Sequence, residues 1–142
     1  MNIDRPTEEP RMYDTLNSAR AAAAWWAKQI KVIVPTPAGG TDRPTVEPLS
    51  RHAAALAAFK HALAAQITEL VRRAGNAMIG VDYGPDAHLS QAADAAAAHG
   101  VTVVRYPIKA RTEITHDRIT AQLEYGEPFQ TIWREGHEPE EN

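Results

Sequence analysis

NAMIGVDYGPDAHLSQAADAAAAHGVTVVRYP, residues 76–107, decides how this chain folds, because it reads as a strand, a helix and a second strand with the turns between them spelled out. Ala77, Met78, Ile79, Gly80 and Val81 are an apolar run held between Gly75-Asn76 and Asp82-Tyr83-Gly84-Pro85, the pattern of a buried strand between turns. Asp86 is placed to cap a following helix through its side-chain oxygen, and His99-Gly100 closes that helix. Leu89, Ala92, Ala93, Ala96 and Ala97 form a smooth stripe suited to close approach, with Gln91 and Asp94 away from it. Val101-Thr102-Val103-Val104 is then a second β-branched run. A strand, helix and strand of this length predict a right-handed crossover joining two parallel strands.

Downstream the period changes to two. Thr112 and Ile114 alternate with Glu113 and Thr115, a turn follows at His116-Asp117, and Ile119, Ala121, Leu123 and Tyr125 alternate with polar residues, which predicts a hairpin with one apolar face. Phe129 to Trp133 adds a short last strand. Upstream, Pro48 to Ala74 predicts a long helix with Gly75 as its C-terminal cap. Its leucines, Leu49, Leu56, Leu63 and Leu70, fall seven apart, but of the companions His52, Phe59 and Gln66 only Phe59 is apolar. Ala53 and Ile67 widen the stripe, so the helix reads first as one lying on a sheet; the alternative is a homodimer through one of the first two helices.

Residues 35–47 carry Pro37, Gly39, Gly40 and Pro44 and read as a loop, with no Lys-Ser/Thr placed to complete a phosphate-binding pattern. Lys31 to Val34 reads as a short strand. From near Asp14, Leu16, Ala19, Ala23, Trp26 and Ile30 recur on one helical face, which leaves Trp25 off that face as a candidate contact residue or a half-covered side chain. The expectation is a single α+β domain over residues 13–134: an N-terminal and a long central helix packed on a mixed sheet built from the 76–107 unit, the hairpin and the last strand. Leu56, Leu63, Ile67, Ile79, Val81, Val103, Ile119 and Leu123 are its predicted core. Residues 1–12 read as an extended arm. Residues 135–142 read as an acidic tail whose four glutamates and lack of aliphatic side chains do not repay the entropy of ordering.

Composition narrows the function classes. The 142 residues include no cysteine, which removes disulfides, thiolate catalysis and cysteine metal sites. The net charge of −3 comes largely from the tail, and the densest basic segment, Arg105 to Arg111, holds three charges, too few for a nucleic-acid footprint. With no apolar span of ~20 residues and no secretory leader pattern, the expectation is a soluble, cytoplasmic protein without a membrane segment.

Four residues of the 82–88 loop, Asp82, Tyr83, Asp86 and His88, carry chemistry at the place where open parallel sheets bind ligands, between a strand and the helix it feeds. Asp82, Asp86 and His88 are the candidate acid, base or cation-holding groups. Each also has a structural account, Asp86 as helix cap, Asp82 as a solvated turn residue and His88 as a solvent-facing helix residue. Candidate binding residues are Trp25, Tyr83, Arg105 and Lys109. No metal site is predicted: no Glu-bearing pair of histidines stands four apart, and His52 and His61, nine apart, face opposite sides of their helix. No cofactor is implied.

Val81 to Asp86, Arg105 to Lys109, and Tyr125-Gly126 with Pro128 and Ile132-Trp133 together resemble small uncharacterised proteins of actinobacteria and their phages, over the C-terminal half of the chain. The resemblance implies no catalytic residue. Two readings follow: a non-enzymatic protein-interaction or regulatory factor, phage-associated, or a small-ligand-binding or hydrolytic enzyme using the 82–88 loop. A concave pocket around the carboxylates favours the enzyme; carboxylates splayed in solvent beside an exposed apolar patch favour the interaction protein.

Overall fold

The computed structural model describes residues 15–34, 45–107 and 109–136, and the expectations for the N-terminal arm, the Pro/Gly-rich loop over 35–44 and the tail beyond Gly136 lie outside those residues. In chain order the elements are α1 (Asn17–Lys28), β1 (Lys31–Ile33), β2 (Glu47–Pro48), α2 (Ala53–Ala74), β3 (Ala77–Gly80), α3 (Ala87–Ala97), β4 (Thr102–Arg105), β5 (Arg111–Ile114), β6 (Arg118–Gln122) and β7 (Gln130–Arg134). The class is α+β. Two antiparallel sheets, ordered β2-β1-β4 and β3-β5-β6-β7, accompany three helices, of which α2 lies against both α1 and α3.

The long helix begins later than Pro48, because Glu47–Pro48 pairs with β1 and Leu49–Arg51 makes a single tight turn first. Its end is the predicted one: Gly75 takes the left-handed conformation, φ 90°, and its N–H bonds the carbonyl of Val71. The seven-residue leucine row is covered within the chain, with Leu49 and Leu63 buried and Leu56 and Leu70 half-buried against the core. Ala19, Ala22 and Ala23 of α1 have no exposed surface, so α1 and α2 approach closely, and Thr68 of α2 accepts the Leu16 N–H at 3.2 Å where α1 starts.

The parallel pair expected within residues 76–107 does not form. β3 pairs antiparallel with β5 (Ile79 opposite Thr112), while β4 leaves for the other sheet and pairs antiparallel with β1 (Val32 opposite Val103). Parallel strands need cover on both faces, usually from crossover helices on either side. Here the four-stranded sheet buries one face only: Ala77, Ile79, Thr112, Ile114, Ile119 and Ala121 point inward, and Met78 on the other face is 48% exposed. Val104, 45% exposed, shows the same of β4. A one-sided sheet is stable when antiparallel. The mixed sheet is therefore replaced by two antiparallel ones.

Of the expected core, Leu63, Ile67, Ile79, Val81 and Ile119 are buried, and Leu56 and Val103 are half-buried. Leu123 is not in the core. β6 ends at Gln122, so the inward alternation stops one residue early and Leu123 stands 53% exposed.

One polar link crosses the apolar layer. Trp26, the largest fully buried side chain, donates its Nε1–H to Thr112 Oγ1 at 2.9 Å, and that hydroxyl donates to the Ile79 carbonyl at 3.2 Å. Thr112→Val keeps the shape and leaves the buried indole N–H unpaired, so a loss of about 1–3 kcal/mol is expected in urea denaturation. Leu63→Ala opens a cavity and is expected to cost about 2–5 kcal/mol by the same measurement.

Candidate functional site

The loop after β3 is built from backbone needs first. Asp86 caps α3, its Oδ1 accepting the Leu89 N–H at 2.9 Å, while its Oδ2 accepts the Gly80 N–H at 2.8 Å. One carboxylate thus ties the end of a strand to the start of a helix. Glycine at position 80 leaves room for the neighbouring strand: a Cβ there would stand 3.1 Å from Arg111 Cγ and 3.3 Å from the Ala110 carbonyl, tight enough that either would have to shift by a few tenths of an ångström.

His88 faces α2. The Gln66 amide nitrogen donates to two carbonyls, Ala62 and His88, each at 3.2 Å, which orients its Oε1 toward His88 Nδ1 at 2.8 Å. That oxygen can only accept, so Nδ1 carries a proton. His88 and Asp86 are therefore each committed to structural bonds, and the ring serves as a brace between α2 and α3.

Asp82 and Lys109 do come together, Nζ to Oδ1 at 3.4 Å. Lys109 Nζ also lies 4.6 Å from the centre of the Tyr83 ring and 5.5 Å from that of Tyr125, so two aromatic faces and a carboxylate surround one ammonium group. The backbone of Lys109 is left-handed, φ 66°, the one non-glycine residue with positive φ among those described. Tyr83 and Tyr125 are 94% and 74% exposed.

The strand registers explain this convergence. Gly80 opposes Arg111, Arg111 opposes Gln122, and Ala121 opposes Gln130, so residues 81–86, 109–110 and 123–129 lie at the same end of the four-stranded sheet. Leu123 and Phe129, both exposed, belong to the third loop, which is braced by Gln122 Nε2 donating to the Glu127 carbonyl at 2.7 Å. Tyr83 and Lys109 are candidates from the sequence, and Tyr125 joins them only in the structure. Its signal was present: an aromatic residue directly before the turn Gly126, where no strand continues to bury it.

The remaining candidates lie elsewhere. Arg105 ends β4 in the three-stranded sheet, opposite Lys31. Trp25 is half-buried, edge-on to Trp26 with ring centres 5.1 Å apart. A shallow depression of about 280 Å3 is lined by Asp82, Asp86 and Arg111 together with Gly80 and Gly84. Among the described residues no group of three or more His, Asp or Glu is placed to hold a metal ion, and no helix is long and apolar enough to cross a membrane. The chain matches no family model, no curated protein and no solved structure.

Below this surface Tyr106 is half-buried, and its hydroxyl is held above the usual tyrosine value of 10.0, first by burial and then by the Asp94 and Asp86 carboxylates. The unfolded chain ionises Tyr106 first, so between the two pKa values the folded state holds more protons and stability falls with rising pH. A decline that sets in above about pH 10 and is shallower in Tyr106→Phe is the expected result of denaturation at a series of pH values. Asp86→Ala removes the cap and the Gly80 bond together and should cost about 1–3 kcal/mol in thermal melts. Asp82→Ala, breaking a solvent-exposed pair, should cost less than about 1 kcal/mol.

Proposed function

We propose that this chain is a non-enzymatic interaction factor, phage-associated as the resemblance of its C-terminal half suggests and working in the cytoplasm, which docks a protein partner on the strand-end loops around Tyr83, Lys109 and Tyr125. The observation that carries the reading is the exposure of Tyr83, Tyr125, Leu123 and Phe129 at one end of one sheet, with a lysine held between the two tyrosine rings. Tyrosine offers large contact area at small entropic cost and is enriched among the side chains that dominate interfaces. The left-handed Lys109 adds support, since backbone strain of about 1–3 kcal/mol persists where a site demands a particular side-chain position.

The enzymatic alternative has less behind it. Its rationale was the crevice at the ends of two adjacent parallel strands, and β3 and β4 lie in different sheets. Asp86 and His88 are engaged in structural bonds, and Asp82 stands in solvent beside Lys109.

A photo-crosslinking phenylalanine analogue at position 83 or 125, with position 120 on the polar face of the sheet as control, tests the docking. The expected result is one adduct of the same mass from 83 and 125, suppressed by excess unlabelled protein and absent from 120. Adducts equal at all three positions, or none at 83 and 125, overturn it, as does hydrolysis of model esters or phosphodiesters that Asp82→Asn abolishes. Sedimentation at micromolar concentration checks the helix-mediated homodimer: a dimer dispersed by Trp25→Ala would make a second copy the partner and displace the loops from that role.

A further inference from the structure

Residues 123–129, the third strand-end segment, gather negative charge beside the tyrosines. Glu127 donates its N–H to the Glu124 carbonyl at 3.1 Å, and Gly126 inside the turn takes φ 89°. A turn closed in this way holds its first and fourth residues within about 7 Å, so two glutamates stand close together with Tyr125 between them in sequence. Both are exposed, and among the described residues neither carboxylate has a hydrogen-bond or ion-pair partner. The nearby cations do not answer them. The Lys109 ammonium group is taken up by Asp82 and the two tyrosine rings, and Arg111 lines the depression that Asp82 and Asp86 share. At this end of the sheet four carboxylates, of Asp82, Asp86, Glu124 and Glu127, therefore meet two cations, Lys109 and Arg111.

Resting on the proposal that the strand-end loops dock a protein, we infer that the docked segment is basic: a stretch bearing Arg and Lys whose cationic groups lie on the Tyr83 and Tyr125 rings and pair with Glu124 and Glu127. Three observations select that partner. The two turn glutamates present negative charge that cations complement and that like charge opposes. The rings already receive a cation, with Lys109 Nζ at 4.6 Å and 5.5 Å from their centres, and Tyr83, 94% exposed, keeps nearly all of its surface for a planar guanidinium. Exposed Leu123 and Phe129 offer apolar surface to the methylene stems of Arg and Lys. An acidic segment fits this end of the sheet less well, because the lysine it would seek is shared among a carboxylate and two rings, and Glu124 and Glu127 repel it. The same repulsion turns away a phosphate backbone.

The test is an NMR titration of the full chain with a synthetic peptide in which Arg and Lys alternate with Gly and Leu, beside a neutral counterpart carrying citrulline and Gln at the charged places and an acidic one carrying Glu there. Expected with the basic peptide are shifts at the amides of Tyr83, Lys109, Tyr125 and Gly126, and an affinity that falls about threefold or more in the double variant Glu124→Gln with Glu127→Gln and in Tyr83→Leu. Raising salt from about 50 to about 200 mM should weaken binding. The substituted side chains are exposed and the turn is held through backbone atoms of Glu124 and Glu127, so both variants should melt like the parent, and a melt that drops disqualifies that variant in favour of the other. The basic partner is overturned if the neutral or the acidic peptide binds the loops as tightly, if the folded variants bind as the parent does, or if the basic peptide shifts no strand-end amide. Those results leave the docking itself standing, because the crosslinked adduct at positions 83 and 125 decides it without any peptide; absence of that adduct ends the docking and this inference with it.

Discussion

The Thr112 hydroxyl is the point through which the helical layer and the sheet are aligned. It accepts from Trp26 in α1 and donates to Ile79 in β3, so one oxygen sets the height of α1 above β5 and the register of β5 against β3 together. Apolar contact is tolerant of small slides, whereas a buried hydrogen bond is not, because either partner left alone costs its desolvation. Ile79, Ile114, Ile119 and Phe59, members of the same core, are all without exposed surface.

From that alignment the strand-end surface follows. The registers that start at Ile79 opposite Thr112 bring Gly80, Arg111 and Gln122 level, and the three loops leave from one height. Asp86 fixes the first loop by holding Gly80 and Leu89 at once, and the left-handed turn at Lys109 carries the ammonium group of the second between the tyrosines of the first and third. The surface is a consequence of strand geometry rather than of any cleft.

Much of this was legible in the residues and some was not, for physical reasons. Asp86 and Gly75 declared the ends of two helices because capping is local chemistry, and Thr112 to Ala121 declared a one-sided hairpin because a period of two survives in six residues. The partner of β3 was not declared. Val101 to Val104 has the composition of a buried central strand, yet β4 is an edge strand with Val104 exposed and Val103 half-covered, since composition records β-branching while pairing depends on how many faces have cover. Tyr83 and Tyr125 meet Lys109 across loops 26 and 16 residues away in sequence, a separation at which no periodicity carries information.

The split of residues 76–107 between two sheets also sets where the molecule is weakest. β5 and β6 are joined by a tight turn, but β1 meets β4 across some 70 residues of chain (Val32 opposite Val103), so that pairing repays far more closure entropy with only a few residues of ladder. β2 adds only two residues to it, and β4 is largely exposed. The three-stranded sheet is thus the natural unit of local opening: β1, β2 and β4 can part while Trp26, Thr112 and Ile79 stay joined. Protection of backbone amides from solvent exchange would then rise in two steps across the molecule, low in the sheet that holds Arg105 and high in the one that supports the tyrosines.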